Sequence, residues 1–298
     1  FEVPEKGKTG YVALLGRPNT GKSTLLNSLL GCHLAAVSNK PQTTRKRMLG
    51  IYNDEDSQIL FLDAPGVHNV KIAIDEAMAQ SVDRVLEDAD LVVCMLDPTR
   101  ESGEEDRMAA ELARRCGKTV LLALNKTDLA TPAQQEASLA FYREILPEAE
   151  SLSLIATNPD SAAHLLRRIK ELLPEGIFLF DRENLTDVYE RDVAAELIRE
   201  ALLEELQQEI PHSIAVVINS WKVVGDRIRI DGTLILEREA HKGIVIGQNG
   251  RMIKKIKRRS MQKITEFCGQ KVALALFLKI LPNWRKQKHF LKEINLLE

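Results

Sequence analysis

The chain has 298 residues, a formal net charge of −2, 44% hydrophobic and 28% charged residues. That balance describes an ordinary globular protein long enough to bury two cores, and it excludes the disordered and low-complexity classes. The longest apolar runs are strand-length, well short of the ~18 residues of a membrane span. Cys32, Cys94, Cys116 and Cys268 are far apart and form no C-x-x-C pair, so reduced thiols and no zinc site are expected. No leader pattern is read; a short tail before Phe1 and a cytoplasmic location are expected.

From residue 10 to about 173, apolar runs alternate with amphipathic stretches, the pattern of a mostly parallel sheet wrapped by helices. The predicted strands are 11–15, 48–52, 58–62, 91–96, 120–124 and 151–154, and the predicted helices 22–30, 72–87, 104–116, 133–145 and 161–173. Loops at the C-terminal ends of the strands should carry the site. The first of them is Gly16-Arg17-Pro18-Asn19-Thr20-Gly21-Lys22-Ser23, which fits G-x-x-x-x-G-K-S between a strand and a helix. Its glycines let backbone N–H groups turn inward around a polyphosphate, and the following helix adds its N-terminal dipole. Lys22 would reach the terminal phosphates, and Ser23 would hold Mg²⁺.

Next in the chain comes Gln42-Thr43-Thr44-Arg45-Lys46-Arg47, where Thr44 is the first choice for a hydroxyl completing the Mg²⁺ shell. Asp63-Ala64-Pro65-Gly66 follows the strand 58–62. Asp63 is thereby placed near the metal, and Gly66 offers a backbone N–H that would sense a γ-phosphate. Val67 stands where many regulatory GTPases carry a water-orienting Gln. An apolar side chain cannot position water, so hydrolysis must rest on Mg²⁺, backbone groups, a monovalent cation or a partner. Asn125-Lys126-Thr127-Asp128 follows the strand 120–124 and selects the base. The Asp128 carboxylate would accept from the N1–H and exocyclic amine of guanine, a donor pair that adenine lacks. Asn125 and Lys126 would brace this loop, and the Ala156 N–H would read the guanine carbonyl.

Pro174-Glu175-Gly176 ends the last helix, and 177–187 has no periodicity and reads as a linker. The expected domains are 1–175, a linker at 176–189, and 190–298. Beyond the linker lie an amphipathic helix over 188–209, strands over 213–224 and 227–237 joined by Gly225-Asp226, and a third strand over 271–281. Between the second and third strands, Ile244-Val245-Ile246-Gly247-Gln248-Asn249-Gly250-Arg251 joins two helical stretches. A GXXG loop with basic residues on both sides, in an α-β-β-α-α-β order, matches the type II KH arrangement, which clamps an RNA backbone beside an apolar groove. Lys242, Gly247, Gln248, Asn249, Gly250, Arg251, Lys254 and Lys255 are the candidate RNA-binding residues. Between Lys242 and Lys292 there are 14 Lys and Arg against one acid, Glu266. Such a block suits a polyanion. Trp284 before the terminal basic stretch reads as packing in preference to base stacking.

The segments G-R-P-N-T-G-K-S-T-L-L-N, Q-T-T-R, D-A-P-G-V-H, N-K-T-D and V-I-G-Q-N-G together resemble the Era family of bacterial GTPases with a C-terminal KH domain, over nearly the whole chain. The resemblance implies an α/β P-loop GTPase domain followed by a smaller α+β KH domain. It also implies a GTP-hydrolysing switch that binds small-subunit ribosomal RNA near its 3′ end and acts in assembly of the small ribosomal subunit. Residues Gly16 to Thr24 would bind the phosphates of GTP or GDP, Asp63 to Gly66 would form the second switch, and Asn125, Lys126 and Asp128 would read guanine. Lys22, Asn19, Thr44 and Gly66 are the expected catalytic group. Relatives with Asn at the position of Asn19 can use K⁺ as an activating cation. A monomer is expected, as is peripheral membrane contact. Three positions depart from the family pattern: Ala64 replaces Thr, Ile155 replaces Ser, and Thr20 stands where Val is common. The first and Val67 motivate an alternative, an RNA-binding scaffold that holds guanine nucleotide with little hydrolysis.

Overall fold

The structure, a computed structural model, describes residues 5–38, 40 and 43–296. The chain divides into two compact units, one of residues 1–32, 44–70 and 78–187, the other of residues 33–43, 71–77 and 188–298.

The first unit is built on a seven-stranded sheet. Its strands are β1 (Lys6–Leu15), β2 (Met48–Asn53), β3 (Ser57–Asp63), β4 (Leu91–Leu96), β5 (Thr119–Leu124), β6 (Glu150–Ser153) and β7 (Glu175–Ile177). The order is β2-β3-β1-β4-β5-β6, with β7 joined to the start of β1. β3, β1, β4, β5 and β6 run parallel, while β2 is antiparallel to β3. Every residue of β3 and of β4 is buried, which is why β4 and the middle of β3, Ile59 to Leu62, read as unbroken apolar runs and not as alternation. Helices α1 (Lys22–Leu30), α2 (Ala73–Asp88), α3 (Glu104–Arg115), α4 (Pro132–Arg143) and α5 (Pro159–Leu172) connect the strands. Because β1, β3 and β5 are parallel, the loops after Leu15, Asp63 and Leu124 emerge at one edge of the sheet, where ligands bind in this architecture.

Two features of this unit differ from the sequence reading. β1 begins five residues before Tyr11, because Lys6 to Lys8 pair antiparallel with Glu175 to Ile177. The stretch 177–187 is also bound to this unit's sheet. The Gln58 side chain, fully buried, accepts the N–H groups of Leu179 at 2.7 Å and Phe180 at 3.0 Å and donates to the Phe180 carbonyl at 2.7 Å. The Ile51 N–H donates to the Leu185 carbonyl at 2.8 Å. A buried amide must be satisfied, and here its partners are the backbone of an otherwise aperiodic strap.

The second unit has α6 (Glu190–Glu205), β8 (Ile214–Val224), β9 (Arg227–Leu236), α7 (Glu239–Ile246), α8 (Arg251–Cys268), β10 (Lys271–Ile280) and α9 (Lys288–Glu293). Its sheet runs β10-β9-β8, with β9 antiparallel to β8 and parallel to β10. Ile256, Ser260 and Ile264 form the buried stripe of α8, at the spacing of one helix face. The sheet adds the buried Ile228, Ile230, Leu234 and Leu274 to this unit's core, and α6 adds Val193, Leu197 and Ala201. Trp284 is fully buried; its indole N–H donates to the Ser213 carbonyl at 2.8 Å, and Phe290 lies edge-on at 5.9 Å. It is a packing residue, as the sequence suggested. No helix among the described residues is long and apolar enough to cross a membrane.

Candidate functional sites

The loop after β1 is held open from behind. Gly21 has φ 101°, and a Cβ there would lie 2.3 Å from Asn125 Nδ2. Only glycine permits both the left-handed backbone and this approach. The Asn125 amide uses it to donate to the Thr20 carbonyl at 2.8 Å, while its Oδ1 accepts the Ala156 N–H at 2.9 Å. One buried side chain therefore ties the phosphate loop to the loop after β6. The Ala156 N–H, expected to read the guanine carbonyl, is already engaged by Asn125. Lys126, itself at φ 58°, reaches the Asn19 carbonyl at 2.8 Å and the Asp97 carboxylate at 2.6 Å. Asp128 lies in the short 3₁₀ turn Thr127–Leu129 and is exposed, open to a ligand edge.

The front of the loop carries the charged groups. Lys22 is buried, and its Nζ donates to the carbonyls of Gly16 at 3.1 Å and Arg17 at 3.0 Å. Ser23 Oγ lies 2.6 Å from Asp63 Oδ2 and 2.9 Å from Thr44 Oγ1. Asp63 Oδ1 is buried with no hydrogen-bond partner. Burial pushes the Asp63 carboxyl up to about 6, against the opposing pull of Lys22 and Ser23. Burial likewise brings the Lys22 ammonium down to about 8. Each charge has lost water without gaining a full counter-charge. A hard, oxygen-seeking divalent cation beside Asp63, Ser23 and Thr44, and phosphate oxygens beside Lys22, would complete them. The orphaned Asp63 oxygen is the observation that fits Mg²⁺ to this donor set.

Gly66 lies against Pro18: a Cβ on it would come within 2.6 Å of the Pro18 nitrogen. Its neighbour Val67 is 4% exposed within the core cluster, and its N–H donates to the Gly16 carbonyl at 3.0 Å. Val67 thus anchors the segment to the phosphate loop and points away from the site. Ala64 is also fully buried, and Pro65 is buried beside it. Asn19 is exposed at φ 64°, at the outer turn of the loop. Gln42 lies outside the described residues.

Arg17 takes a place that sequence reasoning missed. Its guanidinium is 1% exposed and points into the protein, donating to Asp106 Oδ1 at 2.9 Å and the Asp97 carbonyl at 3.1 Å. Asp106 also accepts the Tyr142 hydroxyl at 2.9 Å and the Gly103 N–H at the start of α3 at 3.0 Å. Any contact of Arg17 with phosphate is left to its backbone. Asp106 sits in the run Glu104-Glu105-Asp106, which in sequence is indistinguishable from acids favouring a helix N-terminus.

In the second unit, residues 247–250 make the tight turn between α7 and α8, with φ 69° at Gly247, 52° at Asn249 and 73° at Gly250. Gln248 and Asn249 are exposed at the N-terminus of α8, and Ile244, 47% exposed, provides an apolar lip beside them. The cations of α8 separate into two groups. Lys255, Arg259 and Lys263, one helical turn apart, pair with Glu205 at 2.5 Å, Glu204 at 2.9 Å and Glu204 at 2.9 Å on α6. Arg251, Lys254, Lys257 and Arg258 are exposed and have no carboxylate partner among the described residues. Of the expected RNA-binding residues, Lys255 is therefore engaged by α6, and Lys242 lies 3.5 Å from Glu239.

The same unit takes in residues 33–43. Glu200 of α6, 2% exposed, lies 2.9 Å from His33 Nε2 and accepts the Val37 N–H at 3.0 Å, with Lys263 at 3.3 Å. The Lys40 ammonium donates to the Leu203 and Leu206 carbonyls that end α6.

Residues 11–126 match the family model for 50S ribosome-binding GTPases, and residues 209–285 match that for the KH domain. The GTPase Era of Lactobacillus delbrueckii subsp. bulgaricus is 39% identical over 290 residues, 97% of this chain and 96% of the relative. The chain belongs to the Era family of GTPases. Among solved structures, an Aquifex aeolicus Era bound to GDP·AlF₄⁻ superposes with a TM-score of 0.92 at 33% identity, covering 98% of this chain and all of that one. An Era in complex with MgGDPNP and nucleotides 1506–1542 of 16S ribosomal RNA gives a TM-score of 0.92 at 34% identity over the same shares. The fold class read from the sequence, an α/β P-loop GTPase domain followed by a KH domain, is that of Era. So is the activity, hydrolysis of GTP.

Proposed function

We propose that this Era-family GTPase uses bound nucleotide to control how its KH unit engages small-subunit ribosomal RNA near the 3′ end, in assembly of the small ribosomal subunit. The RNA-bound relative supports the choice of partner. The observation that carries the control is the path of residues 33–44. Residues 33–43 belong to the KH-bearing unit, held by Glu200 and the end of α6, while Thr44, next in the chain, belongs to the first unit with its hydroxyl 2.9 Å from Ser23. Ser23, Asp63 and Thr44 would hold Mg²⁺ as its oxygen donors when GTP is bound, and Thr44 follows directly in the chain on the segment that belongs to the KH-bearing unit. The bound nucleotide thereby biases an element on the KH side.

In this reading Lys22 and the loop backbone cradle the phosphates, Gly66 reports the γ-phosphate and Asp128 selects guanine. Arg251 and Lys254 join Gly247 to Gly250 at the RNA backbone. The protein acts as a cytoplasmic monomer. Val67, buried, supplies no water-orienting group, so turnover is slow until a cation or RNA completes the site. Asn19 at the outer turn of the loop is the candidate K⁺ ligand. GTP turnover should rise several-fold when an oligonucleotide from the small-subunit RNA 3′ end is added, and should be faster in K⁺ than in Na⁺. Equal rates in the two cations would remove the role of K⁺. Turnover that stays negligible under all four conditions would favour the scaffold reading instead.

A further inference from the structure

The α6, α7 and α8 helices cover one face of the sheet in the second unit and leave the other open. On the open face, the register places Phe277 beside Thr233 and Val217, Ala275 beside Asp231 and Ser220, Ala273 beside Arg229 and Lys222, and Lys271 beside Arg227. Phe277 is 58% exposed, an unusual position for a large aromatic ring in a strand whose alternate residues, Val272 and Leu274, are buried. Ala273 and Ala275 have short side chains and leave the sheet floor low next to the ring. Lys222, Arg229, Lys271 and Lys279 share this face, all exposed and with no carboxylate partner among the described residues. Asp231 is the one acid among these cross-strand pairs. From Phe277 to Lys271 the face extends roughly 20 Å along β10, at about 3.3 Å per residue.

An exposed aromatic ring on a flat sheet with a row of cations beyond it has the two components of single-strand recognition. The ring stacks a base, which any base satisfies through its π-face, and the cations follow the backbone phosphates. An apolar or acidic protein segment matches this face less well, since it would leave either the cations or the ring without a complement.

We infer that the open face of the β8–β9–β10 sheet is a second single-stranded RNA-binding surface, separate from the Gly247–Gly250 loop, with Phe277 as its stacking residue and Lys222, Arg229 and Lys271 as its phosphate contacts. This rests on the reading of the second unit as an RNA-binding one. It extends the length of RNA that the protein holds beyond the four nucleotides that a KH loop clamps.

The test uses the full chain with fluorescein-labelled single-stranded RNA from the small-subunit 3′ end, in a form of about six nucleotides that fills a KH groove and a form of about 25 that reaches further. Phe277 is exposed, so Phe277→Ala leaves the core intact. It should weaken the long RNA about tenfold and the short RNA not at all, and Phe277→Trp should restore the long RNA. Arg229→Glu should weaken the long RNA and reduce its salt dependence. The double variant Gln248→Asp with Asn249→Asp should weaken both forms. If Phe277→Ala and Arg229→Glu both bind the long RNA as the parent does while the double variant fails, the inference is overturned and the KH reading stands. Loss with Arg229→Glu but not Phe277→Ala overturns the stacking role. If the double variant also binds normally, the KH reading itself is wrong.

Discussion

Asp128→Asn should lower the affinity for GDP and GTP by about 10² to 10⁴, and should convert the site to one that prefers xanthine nucleotides. The carboxylate faces solvent from the turn after β5 and has two oxygens to accept the N1–H and exocyclic amine of guanine. Hydrogen bonds to a charged group are worth about 1.5–3 kcal/mol each, which sets the size of the loss. The Asn amide keeps one acceptor but turns a donor toward the guanine amine. Xanthine carries a carbonyl at that position and accepts from it. Titration with fluorescent GDP and the xanthosine analogue measures both changes. An unchanged preference for guanine in the variant would remove Asp128 from base recognition.

Arg17→Ala should destabilise the first unit by about 3–5 kcal/mol, the cost of leaving a buried ion-pair partner alone. The carboxylate of Asp106, 2% exposed, would keep only Tyr142 and the Gly103 N–H. At roughly 2–4 °C per kcal/mol, the melting temperature should fall by about 10 °C. Removing both charges, in Arg17→Met with Asp106→Leu, should cost less than Arg17→Ala alone, because no buried charge is left uncompensated. Thermal unfolding of the three proteins with and without GDP checks this. A melting temperature for Arg17→Ala within 2 °C of the parent would contradict the structural role.

The contrast between these two residues shows what was legible in the sequence. Asp128 is readable because its motif is contiguous: N-K-T-D directly follows an apolar strand, which places it in a loop at the sheet edge. The phosphate loop and Asp63 are readable for the same reason. Arg17 was read as a phosphate-binding residue because it sits in the loop; the partners of its side chain, Asp97 and Asp106, are 80 and 89 positions away. Gln58 and the strap 177–187 escaped notice for a related reason, since a three-residue strand and a buried amide leave no periodic trace. The basic block of 242–292 was readable as charge but not as surface. Three of its cations are neutralised by acids of α6 that lie 50 or more positions earlier, a pairing that a charge count cannot see. Val67 was read as unable to orient water; that it is a core residue became visible only in the packing.

In the proposed coupling, the segment that Glu200 of α6 holds at His33 and Val37 leads along the chain to Thr44, whose hydroxyl lies beside Ser23. The most direct measurement is the affinity of the full chain for the small-subunit 3′-end oligonucleotide with saturating Mg·GDP and with a non-hydrolysable Mg·GTP analogue, in the same salt. Two coupled sites are expected to differ by at least about fivefold between the two states, the lower end of common coupling energies. The same dissociation constant in both states would contradict the account, leaving a GTPase and an RNA-binding unit that share a chain without communicating.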